Sequence, residues 1–195
     1  KQYAVVNRDD PNSDFFYSKA NVPVVSYGTS DDCDFQAKAI ELRGDGLTYT
    51  ICFPKGEVVL QLKLMGLFNV YNSLAAFVVG YQEGIPVNRI KTSLEKVQGI
   101  AGRFERIDEG QDFMLIVDYA HTPDGLKNVL SFAKGLAKGR LITVFGCGGD
   151  RDKTKRPRMA EVVSSYSDYV FVTSDNPRSE NPQSIIDDIL PGLSD

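Results

Sequence analysis

At 195 residues, with 42% hydrophobic and 25% charged side chains, the chain is long enough to bury one large core or two modest ones, and its make-up is that of an ordinary globular protein. A net charge of −4 gives no electrostatic case for nucleic acid or an anionic membrane as partner. No apolar run approaches the roughly 20 residues of a membrane helix, and no secretory signal pattern follows Lys1.

Tyr3 to Asn7 reads as a short buried strand stopped by Asp9-Asp10-Pro11, where two turn-formers and a proline end it. Val22 to Tyr27 reads as a second. Ala37 to Leu42, Leu47 to Phe53 and Val58 to Leu64 are β-rich, with turns at Arg43-Gly44-Asp45-Gly46 and Pro54-Lys55-Gly56, which predicts a small antiparallel meander. A helix apolar on most faces runs from about Phe68 to Gln82 and ends at Gly84; Pro86 opens another to about Val97. Gly99-Ile100-Ala101-Gly102 is the expected boundary between a first domain, 1–101, and a second, 102–195, with two glycines suited to a hinge. Beyond it, strands at Phe113 to Val117, Leu141 to Phe145 and Tyr169 to Thr173 alternate with helices at Asp124 to Ala137, Lys155 to Tyr166 and Pro182 to Leu190. Continuous apolar strands separated by helices predict a doubly wound, Rossmann-like parallel sheet, so the fold class is α/β.

Cys33, Cys52 and Cys147 are odd in number, far apart and without a Cys-x-x-Cys pair. That argues against a disulfide framework or a zinc site and for a reducing, cytoplasmic compartment; Cys52, among apolar strand residues, reads as core. The single histidine, His121, excludes any site that needs two, and the absence of a Gly-x-Ser-x-Gly elbow weighs against a hydrolase.

In such sheets ligands gather at the carboxyl ends of the strands. Three successive strand ends carry polar, turn-forming loops: Asp118 to Asp124, Gly146 to Lys153 and Ser174 to Arg178. The glycine loop offers backbone N–H groups before a helix, as an anion cradle or simply as a tight turn. It is no dinucleotide fingerprint, because Arg151 stands where the third glycine belongs. Arg151, Lys153, Lys155, Arg156 and Arg158 form a locally positive rim, with Lys155 and Arg158 expected to face solvent. Asp118 is placed to bind ribose hydroxyls or magnesium; His121 either caps the next helix or packs against a base. Asn69 and Asn72 share a helix face and either serve the core or read an adenine edge. Asp175-Asn176-Pro177-Arg178 combines an acceptor, a mixed amide, a fixed φ and a bidentate cation, a set able to hold both an ammonium and a carboxylate.

Taken in order, Gly66-Leu67-Phe68-Asn69-Val70-Tyr71-Asn72, Gly102-Arg103-Phe104-Glu105, Asp118 to Asp124, Gly146 to Pro157 and the Asp-Asn-Pro-Arg run resemble the Mur ligase family over essentially the whole chain, and within it the diaminopimelate-adding type. The resemblance implies a ligase that activates the carboxylate of UDP-N-acetylmuramoyl-L-alanyl-D-glutamate as an acyl phosphate, using ATP and magnesium, so that the amine of meso-diaminopimelate can attack. It implies Asn69 and Asn72 near adenine, Arg103 at the hinge and toward phosphate, Asp118 on ribose and His121 close to the nucleotide. It also implies Arg151, Asp175, Asn176, Pro177 and Arg178 at the diaminopimelate; lysine-adding relatives lack the motif's arginine.

The resemblance covers the second half of the family's central ATP-binding domain and the first part of its C-terminal domain. The Gly-x-x-Gly-Lys-Thr phosphate loop, the carbamoylated lysine, most UDP-sugar contacts and the C-terminal Gly-Lys-Gly-His-Glu-like stretch are absent from this sequence. The expectation is therefore no catalytic residue or metal site in these residues, no ligase activity and negligible ATP affinity from this piece alone. A folylpolyglutamate-synthase-like ligase and a non-catalytic nucleotide- or anion-binding module stand as alternatives.

Overall fold

A computed structural model describes residues Gln2–Leu193, and the chain divides into two compact units, 1–101 and 102–195. No helix among the described residues is long and apolar enough to cross a membrane.

The first unit is a five-stranded sheet in the order β1 (Ala4–Asn7), β2 (Val24–Gly28), β3 (Phe35–Arg43), β4 (Gly46–Phe53), β5 (Gly56–Leu62). The pairs β1/β2 and β2/β3 are parallel; β3/β4 and β4/β5 form the expected antiparallel meander. A bulge between Lys38 and Glu41, with Ala39 at φ 48°, shifts the β3/β4 register. On β4, period-two alternation sends Leu47, Tyr49 and Ile51 into the core. Cys52 therefore points to the opposite face and is only half-buried, not core as its apolar neighbours suggest.

Two helices, α2 (Leu67–Gln82) and α3 (Val87–Glu95), cover the core face. The α2 residues Val70, Leu74, Phe77 and Val78 pack there, while Leu67 and Val79 are exposed. Of its sixteen residues only Leu67, Asn72, Ala76 and Val79 are exposed, so the helix is largely buried, as its apolar faces predict. At the base of the stripe the buried Tyr49 hydroxyl lies 2.8 Å from Ser73 Oγ, and burial pushes the phenol well above its ordinary value. A short helix, α1 (Ser13–Lys19), was not foreshadowed by the sequence pattern. Where β1 ends, the Asp9 carboxylate accepts hydrogen bonds from Thr29 N (2.6 Å), Thr29 Oγ1 (2.8 Å), Ser30 Oγ and Tyr71 OH (2.9 Å). Burial raises its pKa, but these donors outweigh burial and bring it to about 2.

In the second unit β6 (Glu105–Ile107) pairs antiparallel with β7 (Leu115–Val117), and β8 (Ile142–Phe145) pairs parallel with β9 (Tyr169–Val172). The helices α4 (Pro123–Leu136), α5 (Lys155–Tyr166) and α6 (Pro182–Ile189) follow β7, β8 and β9 in turn. Thr122 caps α4 by accepting from Gly125 N, and Asn181 caps α6 by accepting from Gln183 N and Ser184 N, each with proline at the first helical position. Phe145, Cys147, Leu126, Leu130, Met159, Val163, Ile185 and Ile189 make one core with all three helices. The strand residues of opposite parity, Ile142 and Val144 on β8 and their partners Tyr169 and Phe171 on β9, are 50 to 65% exposed. Strand–helix alternation and the parallel β8/β9 pair are present as predicted, whereas β7, expected in the same parallel sheet, pairs antiparallel with β6 in a sheet of its own.

Candidate functional site

The loops after β7, β8 and β9 border a cavity of about 840 Å³ in the second unit, lined among others by Asp118, His121, Gly148, Arg151, Asp175 and Arg178. The glycine loop and the Asp-Asn-Pro-Arg loop are tightly interlocked here. Gly149 N donates to Asn176 O at 2.9 Å, and Arg178 Nη1 donates to Gly149 O. A Cβ on Gly146 would lie 2.4 Å from Thr173 O, and one on Gly149 1.8 Å from Pro177 O. Only glycine permits that approach. Two N–H groups of the expected cradle are thus already used, Gly149 by Asn176 and Asp150 by Glu180 Oε1 (2.6 Å).

Asn176 Oδ1 accepts from Arg178 N (3.3 Å), and Arg178 itself adopts φ 50°. Pro177 fixes φ at the residue between them. Its carbonyl accepts from Glu180 N at 3.0 Å, so the turn closes on itself and leaves Asp175 and Arg178 bordering the cavity. Arg151, which also lines the cavity, is exposed.

Of the five cations read as a positive rim, Arg156 does not belong to it. Its side chain is 2% exposed and bonds Glu180 through Nη2–Oε1 (2.8 Å) and Nη1–Oε2 (3.1 Å), Asp188 Oδ2 (2.8 Å) and Gly148 O (3.3 Å). Arg156 Nε is buried without a partner. Lys153 also pairs with Glu180, at 3.1 Å. Lys155 and Arg158 are exposed. Glu180, unnoticed in the sequence, is thereby the hub: Arg156 first, then the Asp150 amide and Lys153, lower its pKa to about 2.

Asp118 spans two backbone segments. Its Oδ2 accepts from Phe104 N and its Oδ1 from Ala120 N, both at 2.7 Å. His121 is exposed, its Nδ1 3.1 Å from Tyr119 O and its ring edge-on to Tyr119. The helix is capped by Thr122 rather than by His121. Arg103 lies over the other aromatic partner of this strip, its Cζ 5.3 Å from the Tyr119 centroid. Among the described residues no group of three or more His, Cys, Asp or Glu could hold a metal ion.

In the first unit Asn69 is buried and donates to Met65 O (2.8 Å), while Asn72 is exposed and donates to Asn69 Oδ1 at 3.2 Å. The shared face is therefore split: Asn69 serves the core, and Asn72 reaches solvent.

The sequence matches two family descriptions, "Mur ligase middle domain" over residues 1–80 and "Mur ligase, glutamate ligase domain" over residues 102–194. It is 48% identical to the UDP-N-acetylmuramoyl-L-alanyl-D-glutamate–2,6-diaminopimelate ligase of Syntrophomonas wolfei subsp. wolfei, over 99% of this chain and 40% of that protein. The chain thus spans well under half the length of the curated relatives it matches. A solved structure of a UDP-N-acetylmuramoyl-L-alanyl-D-glutamate–2,6-diaminopimelate ligase superposes with a TM-score of 0.61 at 33% identity, covering 99% of this chain and 41% of its own. MurF ligase from Thermotoga maritima, solved in complex with ADP, shares the fold with a TM-score of 0.69 at 18% identity, covering 95% of this chain and 42% of its own.

Proposed function

Since the chain belongs to the Mur ligase family, we propose that it carries the amino-acid rim and part of the nucleotide-binding surface of an ATP-dependent ligase. That ligase joins meso-diaminopimelate to UDP-N-acetylmuramoyl-L-alanyl-D-glutamate in cell-wall precursor synthesis. The observation that carries the reading is the Arg178 guanidinium, held by one nitrogen on Gly149 O beside the cavity it lines. Its other N–H groups suit a carboxylate, which guanidinium binds as a planar fork. Diaminopimelate differs from lysine by a carboxylate at its distal end, so a fixed arginine discriminates between them. Asp175 supplies an acceptor for an ammonium, and Arg151 a second cation for a carboxylate. Asn176 and Pro177 set the turn that presents them.

The residues present also suit ATP in part. Each oxygen of Asp118 has one hydrogen bond from backbone, which leaves acceptor capacity for ribose hydroxyls. Arg103, Tyr119 and His121 form an exposed cation–aromatic strip beside it, Arg103 suited to phosphate and His121 to the nucleotide. In the first unit Asn72 offers an exposed amide to a base, oriented through Asn69. Bound ATP supplies the phosphoryl group that activates the peptide carboxylate. This chain's residues would bind and align the nucleotide and the attacking amine, so their contribution is positioning and charge neutralisation. Magnesium is usually held by one or two carboxylates together with substrate phosphates; among the described residues no group of three or more His, Cys, Asp or Glu forms a metal cage of its own.

The test is product formation by the full-length protein with ATP and the UDP-linked dipeptide, comparing meso-diaminopimelate with L-lysine and L-glutamate. Diaminopimelate should be preferred by about 10²-fold in kcat/KM, below the roughly 10⁴-fold of a fully buried polar site because Arg178 and Asp175 are exposed. Equal use of lysine would refute the substrate; preference for glutamate would favour the folylpolyglutamate-synthase-like alternative.

A further inference from the structure

The turn that presents Arg178 is held from behind by a residue that lies outside the motif. Glu180 sits three residues after Pro177 and is 15% exposed. Its Oε1 accepts from Asp150 N (2.6 Å) and Arg156 Nη2 (2.8 Å), and its Oε2 accepts from Arg156 Nη1 (3.1 Å) and Lys153 Nζ (3.1 Å). Asp150 returns the contact: its carboxylate accepts from Ser179 N (3.2 Å) and Ser179 Oγ (2.7 Å). The two loops therefore clasp one another through Glu180 in one direction and Asp150 in the other.

Both sides of the clasp are conformationally unusual. Asp150 has φ 53° and Arg178 φ 50°, a left-handed region that Asp tolerates comparatively well and that is uncommon for Arg. Arg156 reinforces the clasp, because the same buried guanidinium that grips Glu180 also donates to Gly148 O and to Asp188. Its Nε has no partner, so its orientation is set by the carboxylates and not by a complete shell. A bidentate Arg–carboxylate pair has a defined plane, and this one joins the first turn of α5 to the turn that carries Arg178.

We propose that Glu180 is a positioning residue for amino-acid specificity, locking the 175–180 turn onto the glycine loop so that Arg178 meets a substrate carboxylate at a fixed place. The proposal rests on the reading of Arg178 as the diaminopimelate receptor. Glu180 touches no substrate in this scheme; it acts through the Asp150 amide, Arg156 and the turn. Loosening the clasp should weaken recognition of the distal carboxylate while leaving the other substrates' sites as they were.

The experiment is steady-state kinetics of the full-length protein carrying Glu180→Gln or Glu180→Ala, with Arg178→Ala beside them. Misplacing a recognition group by about 1 Å costs up to about 10²-fold, so KM for diaminopimelate should rise about 10-fold in Glu180→Ala. The rise should be smaller in Glu180→Gln, which keeps an acceptor for Asp150 N. KM for ATP and for the UDP-linked dipeptide should stay within about twofold in both variants, since the expected 10-fold effect is confined to one substrate. An unchanged diaminopimelate KM in folded variants overturns the proposal, as does a parallel rise in all three KM values with a lowered melting temperature, the signature of a merely structural residue. If Arg178→Ala also leaves diaminopimelate KM unchanged, the substrate reading itself has failed; if Arg178→Ala raises it and neither Glu180 variant does, only the positioning role has. Should Glu180→Ala not fold, Glu180→Gln carries the same readout.

Discussion

In the full-length protein, Arg178→Ala is expected to lower kcat/KM for meso-diaminopimelate by about 10²-fold, the consequence of leaving a charge partner unpaired in a site built for it. KM for ATP should be nearly unchanged, because Arg178 belongs to the turn after β9 and its observed contact is with Gly149 O. Arg178→Lys should give an intermediate loss: it keeps the charge but loses the planar fork and the fixed reach to the glycine loop. Because the substitution also removes a donor from Gly149 O, thermal melts of each variant separate a recognition defect from a loop defect. Amino-acid kinetics unaltered by Arg178→Ala would remove the principal support for diaminopimelate as the substrate.

Arg156→Ala should strongly destabilise the second unit. The side chain is 2% exposed and satisfies Glu180, Asp188 and Gly148 O together. Its removal takes the buried counter-charge from Glu180 and Asp188 and leaves Glu180 only the exposed Lys153 as cation. Breaking a buried pair from one side costs about 3–5 kcal/mol, and the partial exposure of Asp188, 43%, places the expectation near the lower end, about 3 kcal/mol, read from urea midpoints. The same network sets an acid limit. Glu180 titrates near 2 in the folded protein against an ordinary 4.5, so its contribution is complete above about 4.5 and is lost as the pH falls toward 2. Arg156→Ala should flatten that part of the stability–pH profile. A wild-type-like midpoint, or an undiminished loss of stability between those pH values, would show that the network does not hold the unit together.

What was legible in the sequence follows from local chemistry. The β3–β5 meander is legible because β-rich runs and glycine turns coincide; Thr122-Pro123 and Asn181-Pro182, the capping pairs that open α4 and α6, are a local signal that the expectation of a His121 cap passed over. The short α1 was not legible, since Phe15 and Phe16 are 60 and 55% exposed and give it no buried stripe to read. The continuous apolar runs of β8 and β9 suggested burial on both faces, yet alternate residues stand exposed, a difference that strand composition cannot register. In the site, the rim loops were readable from their place after apolar strands, and their interlock was not. Arg156 did carry a signal: positions 156, 159, 160 and 163 fall on one helical stripe with Met159, Ala160 and Val163, which places the arginine on the buried face. Its acid partner, Glu180, lies 24 residues away, and no local pattern predicts such a pairing. Asp9 was likewise hidden, its donors lying 20 or more residues distant.

The role proposed for Arg178 is that of receptor for a carboxylate at the far end of the substrate's side chain. A crystal structure of the full-length protein with meso-diaminopimelate bound tests it most directly. The predicted result is the distal carboxylate within hydrogen-bond distance of the Arg178 guanidinium, with the 175–180 turn still clasped to the glycine loop through Glu180. Diaminopimelate seated with both carboxylates away from Arg178 would contradict it.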